Sequence, residues 1–129
     1  MQTEVFLLAD HAQISEGKLY LSGAGWNHLA VDHLPIRRRV GLAIGFGVGP
    51  DDAGKRHFFR INMRTPGGLV EIGGGQFEAE HVEGPNEILF FAINADLPIE
   101  SPGGYDLILS TNDNENKHLG FQVAAPPAA

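Results

Sequence analysis

Hydrophobic and polar residues alternate along short stretches of this chain, and glycine or proline separates one stretch from the next. The clearest stretch is 57–63, where a period of two places Phe59, Ile61 and Met63 on one face. The residues between them, most of them polar, fall on the opposite face. No stretch of comparable length shows a helical period. The pattern therefore predicts an all-β protein.

Seven or eight strands are predicted, at a spacing of roughly 8–12 residues that is typical of a β-sandwich. Turns rich in Gly and Pro join neighbouring strands, which predicts mostly antiparallel pairing. The stretch Glu87–Asn94 contains Ile88–Ile93, which is apolar on both faces, and it is therefore predicted to lie in the middle of a sheet. One strand is interrupted by Gly73–Gly75. The predicted strands are 4–14, 19–22, 39–48, 56–64, 69–80, 87–94, 105–109 and 118–123.

The last third of the chain narrows the class of sandwich. Residues 104–107, a polar hairpin tip and residues 121–123 resemble the last two strands of immunoglobulin-like and fibronectin-type domains. In those folds a tyrosine near the start of the penultimate strand hydrogen-bonds a nearby backbone group, which implies a structural role for Tyr105. Leu107 stands where immunoglobulin domains have a cysteine. The expected fold is an immunoglobulin-like β-sandwich.

A second resemblance covers more of the chain. Six segments are similar to a family of small bacterial proteins of unknown function; this resemblance implies a sandwich fold and assigns no catalytic role. The segments are 7–12, 17–20, 22–26, 92–94, 97–98 and 102–105.

Length and composition limit the classes of protein that this chain can represent. With 129 residues it is expected to form one domain, 1–124, followed by a disordered Ala/Pro tail, 125–129. The chain has no cysteine, which excludes disulfides and thiolate metal sites. The N-terminus lacks the features of a secretory signal, and the apolar stretch 40–48 is far shorter than the ~20 residues of a membrane helix. A cytoplasmic protein without a membrane partner is expected.

Charge and motifs argue against nucleic-acid binding and catalysis. The formal net charge is −7 with nine Lys and Arg residues, whereas phosphate neutralisation requires clustered cations. The glycines of 45–49 lack the spacing and the following helix of a nucleotide-binding loop. No serine lies in a nucleophile elbow, and few loops are long enough to build a cleft. We therefore expect no nucleic-acid partner, no cofactor and no enzymatic activity.

A row of small residues on the predicted strand 39–48 is the main candidate for a functional surface. Glycine weakens a strand, so a whole row of small residues needs a physical reason. Two interpretations stay open: another segment of the same chain packs closely there, or a second subunit or partner lies on a flat surface. The row comprises Gly41, Ala43, Gly45, Gly47 and Gly49.

The only tryptophan, Trp26, also has two interpretations. It is either an anchor of the core or an exposed contact residue, and an aromatic side chain with one polar atom suits both roles.

The leading functional hypothesis is a non-catalytic binding or assembly module that self-associates into a homo-oligomer through the glycine-rich strand or a nearby edge. The alternative is an adaptor that binds a different protein through its loops, Pro50–Lys55, Glu83–Asn86 and Asn112–Asn116.

A third hypothesis is a small metal-dependent enzyme or ligand-binding protein that uses His11, His28 and His33, with Asp10 and Asp32 nearby. The spacing of these residues follows no metal-binding motif, so the sequence assigns no metal. Whether these side chains converge stays open.

Overall fold

The computed structural model describes residues 1–80, 87–112 and 114–126, and of residues 115 and 116 the backbone alone. The predicted loop 83–86 and residues 127–129 of the predicted tail lie outside this range. The described residues form nine strands. They are β1 (Gln2–Ser15), β2 (Lys18–Ala24), β3 (His28–Ala30), β4 (Ile36–Val48), β5 (Arg56–Thr65), β6 (Gly68–Glu78), β7 (Glu87–Ile99), β8 (Gly103–Thr111) and β9 (Asn114–Ala124).

The strands form two sheets, which confirms the predicted all-β fold. The four-stranded sheet has the order β2-β1-β4-β7, and the five-stranded sheet has the order β3-β9-β8-β5-β6. Neighbouring strands are antiparallel except for β3, which pairs with β9 in parallel. Strand β3 has three residues and was not predicted, because so short a segment shows no period. Within the described ranges, no helix has the length and apolar character needed to cross a bilayer.

Two predictions about individual strands are wrong. Strand β6 runs without interruption through Gly73–Gly75, because these residues keep their pairing with β5. Strand β7 lies at the end of its sheet, since β4 is the one strand that pairs with it among the described residues. Its two apolar faces have another explanation: Ile99 lies in the core on the inner side, and Phe90 packs over β4 on the outer side.

The core lies between the two sheets and is centred on β4. The side chains of Leu42, Ile44 and Phe46 are fully buried and point toward the five-stranded sheet. The ring of Phe46 stacks on Phe77 with 5.7 Å between centroids. Burial of each such side chain stabilises the fold by about 1.5–3 kcal/mol. The strand rich in glycine thus also supplies much of the core.

Two aromatic residues close one side of the sandwich. Tyr105 is buried, and its hydroxyl donates a hydrogen bond to the Ser101 carbonyl at 2.6 Å, as the predicted structural role requires. Its ring stacks on Phe121 at 5.3 Å. Trp26 is half-buried, meets Phe121 edge-on at 5.9 Å and lies beneath the Arg38 guanidinium. The structure therefore favours Trp26 as an anchor of the core.

The loop after β4 is held by the carboxylate of Asp52. This residue ends a short 3-10 turn, Pro50–Asp52, and its Oδ2 accepts a hydrogen bond from the Gly49 amide at 2.8 Å. Its Oδ1 lies 3.0 Å from the N-terminal ammonium of Met1. The Gly49 amide and then the ammonium hold the pKa of Asp52 below its ordinary value of 3.8.

Asp52→Asn is expected to destabilise the protein at neutral pH by about 1 kcal/mol or less, because the amide oxygen can still accept from Gly49 while the solvent-screened ion pair with the ammonium is lost. Because folding lowers the pKa of Asp52, its contribution is present above pH 3.8 and is lost as the pH falls through the lower folded pKa. Urea denaturation at pH 7 and at pH 3 measures this. Asp51→Asn, at an exposed neighbouring position, is the matched control. Equal losses in both variants, or a loss independent of pH, would contradict the assignment.

Candidate functional site

The predicted row of small residues lies on an inner strand of the four-stranded sheet. Strand β4 is paired on both sides, with β1 and with β7. Gly41, Ala43, Gly45 and Gly47 face away from the core, yet all four are buried. Gly49 follows the end of the strand and is half-buried. The row is therefore not a bare surface, and the structure supports close packing by the same chain.

Side chains of the two flanking strands meet above the row. A Cβ atom built on Gly45 would lie 3.0 Å from Phe90 Cε1, 3.1 Å from Val5 Cβ and 3.2 Å from Ile88 Cγ2. Above Gly47 the space is taken by the Glu4 side chain, with Oε1 at 2.9 Å from the same kind of Cβ. The small residues thus leave room for larger neighbours, and a glutamate at position 45 would disrupt this packing.

The tightest approach is at Gly41, where the backbone of β1 passes over β4. A Cβ atom on Gly41 would overlap the Ala12 amide nitrogen and would lie 2.6 Å from the His11 carbonyl carbon. On the far side of β4, the Asn94 side chain accepts a hydrogen bond from the Ala12 amide at 3.1 Å. It also donates one to the Ala12 carbonyl at 2.8 Å. The hairpin of β1 and β2 is thereby tied to β7 across Gly41, and only glycine fits beneath it.

The surface above the row is apolar and partly exposed. Leu7 of β1 is 38% exposed and Ile88 of β7 is 47% exposed, while Val5 and Phe90 are half-buried and pack over Gly45 of β4. These four residues are called the outer apolar face below. A sequence signal for it exists, because both β1 and β7 contain consecutive apolar residues where a solvated sheet face would alternate.

The three candidate metal-binding histidines are spread over different elements. His11 is exposed on β1 opposite Ser22, His28 is exposed on β3 opposite Gln122, and His33 is exposed before β4. Among the residues that the structure describes, no group of three or more His, Asp or Glu side chains could hold a metal ion. Their positions therefore give no support to the metal-dependent hypothesis.

Two of the three candidate partner-binding loops lie at the same end of the sandwich. The loop Pro50–Lys55 leads directly into β5, and Asn112 hydrogen-bonds Phe58 near the start of that strand. Of the acidic residues in the first loop, Asp52 is engaged internally, and Asp51 is exposed. The segment Glu83–Asn86 lies outside the described residues.

Comparison with known protein families assigns the chain to one of them. A protein family matches residues 4–124, nearly the whole of the fold described above. The chain belongs to this family, which is described as "Family of unknown function (DUF6941)". The match confirms the expectation of a domain family without an assigned function.

Other comparisons add little. No curated protein matches the chain. One similar solved structure is the Pseudomonas fluorescens alkylpurine DNA glycosylase AlkC bound to DNA containing an abasic site analog. That likeness has 9% sequence identity and a TM-score of 0.47, and it covers 92% of this chain and 30% of that chain. The present chain thus spans less than a third of that protein, and no conclusion about function follows.

Gly41→Ala is expected to lower the free energy of unfolding by about 1–3 kcal/mol, because the added methyl group forces the hairpin off β4. Gly73→Ala is the matched control, since a Cβ there would meet Ile93 Cγ2 at 3.9 Å, an ordinary contact distance. It should change stability by less than about 0.5 kcal/mol, or stabilise slightly by restricting the unfolded chain. Urea denaturation of both variants decides. Equal stabilities would show that the hairpin does not pack on Gly41.

Proposed function

We propose that this protein is a non-catalytic binding and assembly module that self-associates into a homo-oligomer through the outer apolar face. The observation that carries the proposal is the exposure of Leu7 and Ile88 on a sheet face whose central strand bears no large side chain. Contiguous apolar surface on a folded domain is typical of an interaction site. The cytoplasmic location expected from the sequence is part of this proposal.

A second copy of the chain is the occupant that fits this face best. Two copies related by a two-fold axis present the same surface to each other, so one patch serves both partners. Burial of apolar surface contributes about 25 cal/mol per Å² and would act without any charge complementarity. Each chain carries a net charge of −7, so the copies repel each other at long range. Salt screens this repulsion, and association should therefore strengthen with ionic strength.

We also infer that the sandwich is of the immunoglobulin-like class. The observations that support this are the central strand order β9-β8-β5 in one sheet and β1-β4-β7 in the other. The hydrogen bond from Tyr105 to the Ser101 carbonyl adds to them, because such folds use a tyrosine in this way.

An adaptor for a different protein is the second candidate. It is favoured by the shared position of the loop Pro50–Lys55 and Asn112 at one end of the sandwich. Ile88 of the outer apolar face pairs with Gly47 near this end, whereas Leu7 pairs with Ala43, farther from the loop. Substitution of Leu7 therefore separates the two functions most clearly.

Leu7→Glu and Ile88→Glu are expected to weaken self-association at least about tenfold each, because a charge buried in an apolar contact costs more than the ~1.4 kcal/mol of one such factor. Sedimentation velocity at several salt concentrations measures the association. Leu69→Glu is the control, because Leu69 is 62% exposed on the other sheet. Circular-dichroism spectra should show that all three variants keep the β-sheet fold.

Two results would contradict the proposal. One is a wild-type protein that stays monomeric up to its solubility limit at high salt. The other is an oligomer that all three variants preserve. The second result would favour an interface formed by the loop Pro50–Lys55 and Asn112 instead.

A further inference from the structure

The outer face of the five-stranded sheet contains a groove that the proposed assembly does not use. Strand β5 turns Phe58, Arg60 and Asn62 outward, and the groove runs over them between β6 and β8. Its volume is about 530 Å³. This is within the range of about 300–1,000 Å³ found for small-molecule sites. The surroundings of these three side chains indicate what kind of molecule would fit.

Arg60 is a cation without a carboxylate opposite it. Its cross-strand neighbours are Gly74 on β6 and Ser110 on β8. No residue in the described ranges forms a hydrogen bond or an ion pair with its guanidinium group. The planar guanidinium group suits an oxyanion that binds through two oxygens.

The other two outward arginines of β5 lie in a different environment. Arg56 is paired in register with Glu78, and Arg64 is paired with Asp106. The Asp106 carboxylate also lies 2.6 Å from His118 Nδ1. Arg60, in the middle of the groove, is therefore the one with no acidic residue directly across either neighbouring strand.

The space above Arg60 is kept open by the backbone of β6. A Cβ atom on Gly74 would lie 2.5 Å from the Phe59 carbonyl oxygen, so this position excludes any side chain. The flanking outward residues of β6 are Glu71 and Gln76. The groove is thus a place where the outer face of the sheet lacks a side chain. The close approach of β5 to β6 at Gly74 is the reason.

Phe58 provides an exposed aromatic surface next to Arg60. The side chain is 50% exposed, and Asn112 forms hydrogen bonds with both the amide and the carbonyl group of the Phe58 backbone. The Phe58 amide donates to Asn112 Oδ1 at 3.0 Å, and the Asn112 amide donates to the Phe58 carbonyl at 3.1 Å. Residues 58 and 60 are separated by about 6.6 Å along the strand. One small molecule can therefore place a ring on Phe58 and an anionic group at Arg60.

The opposite end of the groove limits the charge of the ligand. Glu71 is paired in register with Asn62 there, and both line the groove. The carboxylate repels a second negative charge and accepts hydrogen bonds from hydroxyl or amino groups. A ligand with one anionic group and neutral donors therefore fits the charges of the groove.

We propose that this groove binds a small molecule in which a flat ring stands next to a single carboxylate or phosphate group. The ring stacks on Phe58, the oxyanion pairs with Arg60, and donor groups of the ligand reach Asn62 and Glu71. A single-stranded nucleic acid would use the same stacking and phosphate chemistry, but Glu71 and the net charge of −7 oppose a polyanion. A short oligonucleotide is therefore a comparison in the test.

The test is a titration of ¹⁵N-labelled full-length protein followed by two-dimensional NMR. The probes are benzoate, indole-3-acetate, AMP and UMP, each beside its neutral counterpart: benzamide, indole-3-acetamide, adenosine and uridine. Acetate and inorganic phosphate serve as anions without a ring, and a ten-residue oligothymidylate tests the polymer. At least one anionic ring compound should shift the amide signals of groove residues saturably, and about tenfold more tightly than its neutral counterpart.

Variants separate the two contacts. Arg60→Gln should abolish the preference for the anion over its neutral counterpart, whereas Phe58→Ala should weaken both compounds. Arg64→Gln, on the same face of the same strand, should leave both affinities unchanged. Since all three positions are on the surface, the variants are expected to fold, and their NMR spectra report this directly.

Three outcomes would overturn the proposal. The first is that no probe shifts the groove signals saturably. The second is that Arg60→Gln keeps the preference for the anion. The third is that the oligonucleotide binds far more tightly than any mononucleotide with a steep dependence on salt, which would make this face a nucleic-acid surface.

Discussion

The structure depends on how closely other strands approach the middle strand of the four-stranded sheet. At Gly41 the backbone of β1 crosses above β4, and the Asn94 amide holds it in place from β7. Any side chain at position 41 would occupy the space of the Ala12 amide. The same strand buries Leu42, Ile44 and Phe46 on its other side. One strand thereby joins the core of the sandwich to a second layer outside it.

This arrangement gives the two outer faces of the sandwich different chemistry. On the four-stranded sheet, the glycines of β4 allow apolar side chains to fold inward, and the parts of Leu7 and Ile88 that remain exposed form an apolar surface. On the five-stranded sheet, Gly74 leaves a gap beside Arg60 and Phe58 instead. Side chains of β1 and β7 fill the space above Gly45, whereas the backbone of β5 excludes a side chain at Gly74. For this reason we propose a protein partner for the first face and a small polar ligand for the second.

Local patterns predict the strands, and long-range pairing decides the site. Alternation over 57–63 correctly predicts the core face of β5, because that signal lies within a few residues. The cover over Gly41 comes from Ala12 and Asn94, which are 82 residues apart, and no local pattern links them. The two apolar faces of 87–94 wrongly predict a central strand for the same reason. Phe90 packs over Gly45 on the outer face of a strand at the end of its sheet, which leaves the same apolar pattern as a strand in the middle of a sheet.

The most direct test of this account is the solvent exposure of the Ala43 methyl group, which faces away from the core but is fully buried. A soluble gadolinium chelate added to dilute wild-type protein broadens methyl signals in proportion to their exposure. The account predicts that Ala43 is as protected as Ile44 in the core, at every protein concentration. If Ala43 is strongly broadened in dilute solution and becomes protected only at high concentration, another molecule rather than this chain covers the strand.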